Sequence, residues 1–305
     1  PVLGAPGGGD GTAGPYAQGY ARSVTDNHLS QTIMAVAEQK TSGTPAPDMV
    51  LWPENSTDID PVLDFESHQI VMGALAISNR PILVGAVTDG PGKDERQTAS
   101  MWWPPSSPQP TSTYHKRNLV PFGEWIPARS FFLPLIPVLG NIGRQSVPGT
   151  TPGVLDATIA GQKVPVGVVV CFEVAHDGTV ADTVRHGAKI LVVQSNNSSF
   201  IDTAQTPQQW QITRARAIET GRHIVVSTTN SFSGLVNPDG SVAVRTNEGG
   251  HTHFTVTMPL ESGLTMGVRI APRLRVIILV IAAGAIAVSL LQRRRAMLAQ
   301  ANHNR

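Results

Sequence analysis

The sequence predicts a mixed α/β domain of layered sheets with helices packed outside, followed by one apolar helix. Short Val- and Ile-rich runs are continuous rather than alternating, as expected of strands covered on both faces. Amphipathic stretches of helical length separate those runs, which is the order of a layered α/β architecture. Residues 276–291 read VIILVIAAGAIAVSLL, with Ser289 the only polar side chain. Composition fits this reading: of 305 residues 41% are hydrophobic and 15% charged, against ~25% charged in typical soluble domains, and 29 Gly with 24 Pro imply many turns. The 23 basic and 22 acidic side chains leave a formal charge of +1, so no bulk field marks a nucleic-acid binder. The single cysteine excludes an internal disulfide framework and a Cys-rich zinc site. Cys171 is therefore either a buried apolar residue or a reactive thiol.

The chain opens at Pro1 without an initiating Met and without a signal-peptide pattern, so a processed chain or a fragment is expected. Residues 1–25 are expected to be a flexible lead-in or a truncated domain start, because the first stretch is Gly-rich with no apolar periodicity. The domain proper is expected over 26–268. Helices are predicted at 27–40, 64–78, 178–186 and 207–220, and strands at 49–52, 82–87, 98–103, 166–171, 190–195 and 223–228, with a final FSGLV and SVAVR pair joined by the turn NPDG at 237–240. Helix 207–220 has the fullest set of end signals: Thr206 as N-cap, Pro207 in the first turn, Gln209 completing a capping box, and Gly221 just past the end. MWWPPSSPQPTSTY carries four prolines and is expected to be a loop. The stretch 125–143 places Phe131, Phe132, Leu133, Leu135, Ile136, Val138 and Leu139 among three prolines that prevent a long helix. It reads either as core or as a loop that faces or admits lipid.

Arg273 and Arg275 before the apolar run and Arg293, Arg294 and Arg295 after it mark a membrane span over 274–292, with a basic tail over 293–305. Snorkelling arginines extend the run toward the hydrocarbon thickness. The positive-inside tendency places the tail in the cytoplasm and the domain outside it, although Arg269, Arg273 and Arg275 work in the opposite sense.

Four blocks put an ionisable or polar residue at a strand end: LWPEN with Glu54, YHKRNLVPFGEWIP with Lys116 and Glu124, VGVVVCFEVAHDG with Cys171 and Glu173, and LVVQSNNSSF with Asn196 and Asn197. Each alone is weak, since a Glu after a strand is usually solvated and a Cys ending a strand is usually packing. Together they supply a base, a fixed positive charge and a nucleophile for acyl chemistry. Nine histidines are scattered, and His251 with His253 share one face of a strand-like stretch without a third ligand, so no metal is expected.

Those blocks, in this order, resemble the carbon–nitrogen hydrolase (nitrilase) superfamily. WPEN, HKRNLVPFGEWIP, CFE, SNN and RARAIETGRHIVVSTTNSFSGLVNPDG are most similar to its apolipoprotein N-acyltransferase branch. The resemblance implies a four-layer αββα sandwich followed by one transmembrane helix, with Glu54 as general base, Lys116 as oxyanion stabiliser and Cys171 as acyl-accepting nucleophile. By the same likeness Glu124 and Glu173 are supporting acids. Asn196, Asn197, Phe131 and Phe132 are the expected substrate contacts. The implied reaction needs no cofactor and moves an acyl group from a membrane phospholipid to a diacylglyceryl-apolipoprotein. The implied setting is the bacterial inner or plasma membrane, multi-pass in a full-length protein, with further N-terminal helices in cis or from another chain. Two departures are visible: Phe172 where Tyr is common, and an SNN segment without the Asp and Trp often found there. The alternatives are a membrane-anchored nitrilase-type amidase that passes the acyl group to water, and a non-catalytic anchored module that binds lipoproteins or lipids.

Overall fold

The computed structural model describes residues 15–250 and 252–303, which divide into two compact units at Gly263 and Leu264. The first unit holds two sheets. One has five strands: β1 (Val50–Leu51), β2 (Ile82–Asp89), β3 (Glu95–Trp103) and β4 (Ser112–His115) in that order, with β5 (Gln145–Ser146) on β3. The other has six, in the order β11 (Val242–Arg245), β10 (Gly234–Val236), β9 (Ile224–Thr228), β8 (Ile190–Ser195), β7 (Gln162–Val170) and β6 (Val154–Ile159). β7, β8 and β9 run parallel, so Cys171, Asn196 and Thr229 all follow the same end of the sheet.

Continuous apolar runs form the strands because both faces are covered. β2 and β8 are buried along almost their whole length. Leu83, Trp102 and Tyr114 of the first sheet meet Leu155, Val166, Val168 and Val192 of the second in the inter-sheet core. On the outer face of the first sheet, Val71, Ala74 and Leu75 of α2 (Phe65–Ser78) pack on Ile82, Val84 and Trp103, with Leu29 of α1 (Pro15–Ser42) alongside. The second sheet is covered by α4 (Asp177–Arg185), which buries Val180, Ala181 and Val184, and by α5 (Gln205–Thr220), which buries Trp210 and Ala217. Helix, sheet, sheet, helix is the expected four-layer arrangement.

Several predicted boundaries shift. α1 starts at Pro15 rather than at residue 27, and residues 1–14 lie outside the described part. The proline-rich tract is a loop only as far as Thr111, because Ser112–His115 returns antiparallel to β3 in the register Ala99↔His115 and buries Tyr114. β6 was not expected; Asp156 and Thr158 face out while Leu155 and Ala157 face in, which interrupts any apolar run. Cys171 does not end β7 but opens a short 3-10 turn, Cys171–Ala175. The predicted capping box on α5 is absent: the helix begins earlier, at Gln205, and Gln209 is drawn inward by polar partners described below. Gly221 closes α5 as predicted, in the left-handed region at φ 62°.

The 125–143 stretch forms α3 (Arg129–Leu135) and a 3-10 turn, Pro137–Ile142, and apart from the buried Ile126 it is not core. Phe131 is 62% exposed, Leu135 64% and Val138 67%. The segment thus presents several apolar side chains at the surface, as Val62, Leu63 and Phe65 also do.

The second unit is α6 (Met266–His303), in which Val276–Arg294 is long and apolar enough to cross a membrane by length and composition. Its Val, Ile and Leu side chains are exposed throughout that stretch.

Gly85 has a defined task in this fold. A Cβ there would land on the carbonyl oxygen of Pro53, so only glycine lets the Trp52–Thr57 segment lie directly on β2. Gly85→Ala should therefore reduce stability by about 1–3 kcal/mol, read as a lower melting temperature of the full chain, with a larger relative loss of any activity that depends on Glu54.

Candidate active site

Glu54 sits in a segment that continues β1 along β2: Trp52 N–H donates to Leu83 O at 2.9 Å and Thr57 N–H to Gly85 O at 3.2 Å. Lys116 follows β4 directly, its backbone N–H donating to Thr98 O at 2.8 Å. Glu124 comes from the loop beyond, where Val120 N–H donates to its Oε2 at 2.7 Å. Lys116 Nζ donates to Glu54 Oε1 at 3.1 Å and to Glu124 Oε1 at 2.9 Å. The remaining oxygen of Glu54, Oε2, accepts Asn196 N–H from the second sheet at 2.7 Å. Lys116 is 2% exposed and Glu54 5%, so this is a buried charge cluster. It is tolerable because every charged atom has a partner.

The thiol belongs to the same cluster. Cys171 Sγ points to Asn197 Oδ1 at 3.9 Å. Asn197 Nδ2 donates to Gln209 Oε1 at 2.6 Å, and Gln209 Nε2 donates to Ser195 Oγ at 2.8 Å, a chain of polar groups leading from the sulfur. Beneath it, Gln194 bridges the sheets by accepting from Ser100 Oγ and donating to Trp52 O at 2.6 Å. Burial pushes the Cys171 thiol up to about 12; Glu54 raises it further and Lys116 pulls it down. Burial works against the charge on Lys116, yet Glu54 and Glu124 hold its pKa well above the ordinary lysine value. Burial also raises Glu54, with Lys116 opposing and Glu124 assisting. A raised carboxylate beside a neutral thiol can take its proton, and an ammonium fixed between two carboxylates can face a developing oxyanion. Asp58 is buried nearby and pushed up to about 8, so at neutral pH it adds no third full negative charge.

Glu173 ties the two halves together. Its Oε1 accepts from Tyr114 Oη at 2.7 Å, Arg117 N–H at 2.6 Å and Asn118 N–H at 3.2 Å, while Oε2 accepts Val170 N–H at 2.8 Å. One carboxylate thus clamps the loop after Lys116 to the strand end before Cys171. The backbone beside these residues is strained: Cys171 stands at φ 49°, Asn55 at 54° and Phe122 at 59°, all in the left-handed region. Such strain persists only where surrounding structure over-determines it.

Glu54, Lys116, Cys171, Glu124 and Glu173 are thus brought together with Asn196 and Asn197. Phe131 and Phe132 lie on the exposed α3 segment, joined to the site through Phe132, which meets Phe122 edge-on at 5.6 Å two residues before Glu124. His251 lies outside the described residues, and His253 bonds to Gln31 and Glu38 of α1. Sequence reasoning missed Ser100, Tyr114, Gln194 and Gln209. Gln194 carried a signal, being an amide inside the apolar run ILVVQS; Gln209 was masked by its capping-box spacing.

Two sheets, four layers and a buried Glu, Lys and Cys at the strand ends define a nitrilase-type protein. The carbon-nitrogen hydrolase family model matches residues 69–263, and the chain belongs to that family. The chain is 35% identical over 280 residues to the apolipoprotein N-acyltransferase of Mycolicibacterium smegmatis, covering 90% of this chain and 46% of that protein. It is 30% identical over 234 residues to the apolipoprotein N-acyltransferase of Bdellovibrio bacteriovorus, covering 73% and 41%. The chain therefore spans less than half the length of these relatives. Among solved structures, a mutant of the Nesterenkonia amidase from the nitrilase superfamily aligns with a TM-score of 0.54 at 16% identity, covering 73% of this chain and 81% of that one. A nitrilase-superfamily member from Saccharomyces cerevisiae aligns with a TM-score of 0.52 at 16% identity, covering 73% and 82%.

The electrostatics set a pH test. Iodoacetamide alkylation of Cys171, followed by mass across a pH series, should keep accelerating beyond the ~8.5 of a free cysteine. Glu54→Gln removes a charge that raises the thiol and should move the profile to lower pH. Lys116→Met removes the cation that lowers it and should move the profile higher. A plateau near the free-cysteine value in the unmodified protein would contradict the described environment.

Proposed function

We propose that the chain carries the acyl-transfer centre of an apolipoprotein N-acyltransferase. The observation that carries this reading is the convergence of Glu54, Lys116 and Cys171 from three separate strand ends into one buried cluster, beside a segment that exposes Phe131, Leu135 and Val138. The extended likeness to relatives bearing that name supports it.

In the first half-reaction, Glu54 takes the Cys171 proton as the sulfur attacks an ester carbonyl of a phospholipid. The carbonyl π electrons move to oxygen, where the Lys116 ammonium faces the new charge. Collapse breaks the ester C–O bond, and the Glu54 proton goes to the departing lysophospholipid oxygen, leaving a thioester. In the second half, the neutral α-amino group of a diacylglyceryl-cysteine attacks the thioester. A C–N bond forms, Glu54 takes the amine proton, the C–S bond breaks, and the proton returns to sulfur. Glu124 keeps Lys116 charged and placed, and Glu173 holds the loop after Lys116 against the Cys171 turn. Asn196 and Asn197 border the reacting centre, and Phe131 and Phe132 meet the acyl chains. The chemistry is ping-pong through one acyl-enzyme and uses no cofactor.

In this reading α6 anchors the domain to a bacterial cell membrane, with the catalytic domain outside the cytoplasm and residues 293–305 inside. The anchor spans 274–292. A full-length protein is multi-pass.

Incubation with phospholipid vesicles should add one acyl mass to Cys171, and a diacylglyceryl peptide should discharge it with the acyl group recovered as an amide. Cys171→Ser should abolish the adduct, and Lys116→Met should reduce acylation by ~10²–10³-fold. No adduct on folded protein rejects the proposal, and discharge to water alone assigns the amidase reaction instead.

The exposed segment gives a separate test. Replacing Phe131, Phe132 and Leu135 together with Ser should cut acyl transfer from vesicles at least tenfold, while the melting temperature stays within a few degrees because these side chains bury little area. Equal loss of stability and transfer would return the segment to a packing role.

A further inference from the structure

The polar chain beside Cys171 has a direction. Cys171 Sγ donates to Asn197 Oδ1 at 3.9 Å, Asn197 Nδ2 donates to Gln209 Oε1 at 2.6 Å, and Gln209 Nε2 donates to Ser195 Oγ at 2.8 Å. Ser195, Asn197 and Gln209 are all buried, so a partner lost inside the chain is not readily replaced by solvent. Ser195 and Asn197 lie at the end of β8, whereas Gln209 reaches them from α5. The helix therefore contributes a side chain that touches neither the sulfur nor the charged cluster, yet joins two groups that flank the sulfur.

Gln209 sets that direction. A primary amide has an accepting end and a donating end. With the Gln209 oxygen taking Asn197 Nδ2, the Asn197 amide turns its own oxygen to the thiol. With the Gln209 nitrogen donating to Ser195 Oγ, the serine is an acceptor there and keeps its hydroxyl hydrogen for another partner. The sulfur is that partner: burial pushes the Cys171 thiol up to about 12, Glu54 and Glu124 add to the rise, and Lys116 and a hydrogen bond with Ser195 oppose it. The thiol thus finds an acceptor for its proton in Asn197 and a donor in Ser195, and Gln209 holds both.

We propose that Gln209 is a positioning residue for the nucleophile: it holds the Asn197 oxygen toward Cys171 Sγ, leaves the Ser195 hydrogen to the sulfur, and so keeps the resting centre a hydrogen-bonded thiol. The inference rests on the proposed role of Cys171 as nucleophile. A protonated sulfur reacts poorly with stray electrophiles, and its proton stays in place until Glu54 takes it. With both amides turned over, the chain would instead offer Asn197 Nδ2 to the sulfur and draw the Ser195 hydrogen to Gln209.

The test uses the full chain in detergent, where Cys171 is the single thiol. It reads the infrared S–H stretch and the iodoacetamide rate at about pH 8, below the ionisation of a free cysteine. Asn197→Leu removes the acceptor and supplies the free S–H position; the unmodified band should lie at lower wavenumber. Gln209→Met frees the Asn197 amide to turn its nitrogen to the sulfur. The band should then move to the Asn197→Leu position, and alkylation should accelerate about tenfold, the worth of one hydrogen bond to the thiolate. In an Asn197→Leu background the same change should leave the rate as it is, since no amide remains to turn. Gln209→Glu has the same shape and accepts from Asn197 whether protonated or ionised, so it should keep the band in place and not accelerate alkylation. That arm stands should Gln209→Met fail to fold. Both readouts address the thiol without lipid, so a failure of acyl transfer is seen separately, as a missing adduct after incubation with vesicles. Coincident bands in the unmodified protein and Asn197→Leu, a band unmoved by Gln209→Met, acceleration that persists in the Asn197→Leu background, or acceleration in Gln209→Glu would each overturn the proposal.

Discussion

An ammonium buried between two carboxylates is the constraint around which the site is arranged. Lys116 has almost no access to solvent, so its charge survives only because Glu54 and Glu124 both reach it. That requirement propagates outward. Glu54 must lie flat on β2, which demands Gly85, and Glu124 must fold its loop back onto its own Val120 amide. Burial first, and then the net negative charge of the three groups, opposes ionisation of the thiol. Removing one acid would leave the cluster neutral, and removing the lysine would leave two buried carboxylates facing each other.

Around the cysteine the constraint is conformational as well as electrostatic. A β-carbon-bearing residue at φ 49° is held there by its surroundings. Glu173 supplies much of that hold, since it accepts Val170 N–H just before the turn and two backbone amides beyond Lys116. Its four hydrogen bonds make it the joint between the Cys171 turn and the loop after Lys116. The polar chain through Asn197, Gln209 and Ser195 fixes the amide whose Oδ1 faces the sulfur.

The layered architecture was legible because buried strands leave continuous Val and Ile runs, and β2, β7, β8 and β9 fall within a few residues of their predicted places. β4 and β6 were not, because Ser112–His115 is polar and follows a proline tract, and Asp156 and Thr158 break the apolar pattern of an edge strand. Glu54, Lys116 and Cys171 were legible as chemistry-bearing residues at strand ends. Their mutual geometry was not, since Glu54 and Asn196 meet across 142 positions of sequence. Gln209 shows how local rules mislead: capping-box spacing was present, but long-range partners claimed the side chain. The outward face of the 125–143 stretch also lay beyond composition, which describes core and exposed apolar segments in the same letters.

The first sheet supplies Glu54 and Lys116, and the second supplies Cys171 and Asn197. Neither sheet alone holds both the Glu54–Lys116 pair and the sulfur, so the cluster is a property of their docking. With only one sheet in place, the thiol is held apart from the carboxylates and the ammonium that surround it in the docked structure. Acquisition of the site therefore coincides with burial of Trp102, Tyr114 and Val168 between the sheets. Assembly of the site and docking of the two sheets are thus a single structural event.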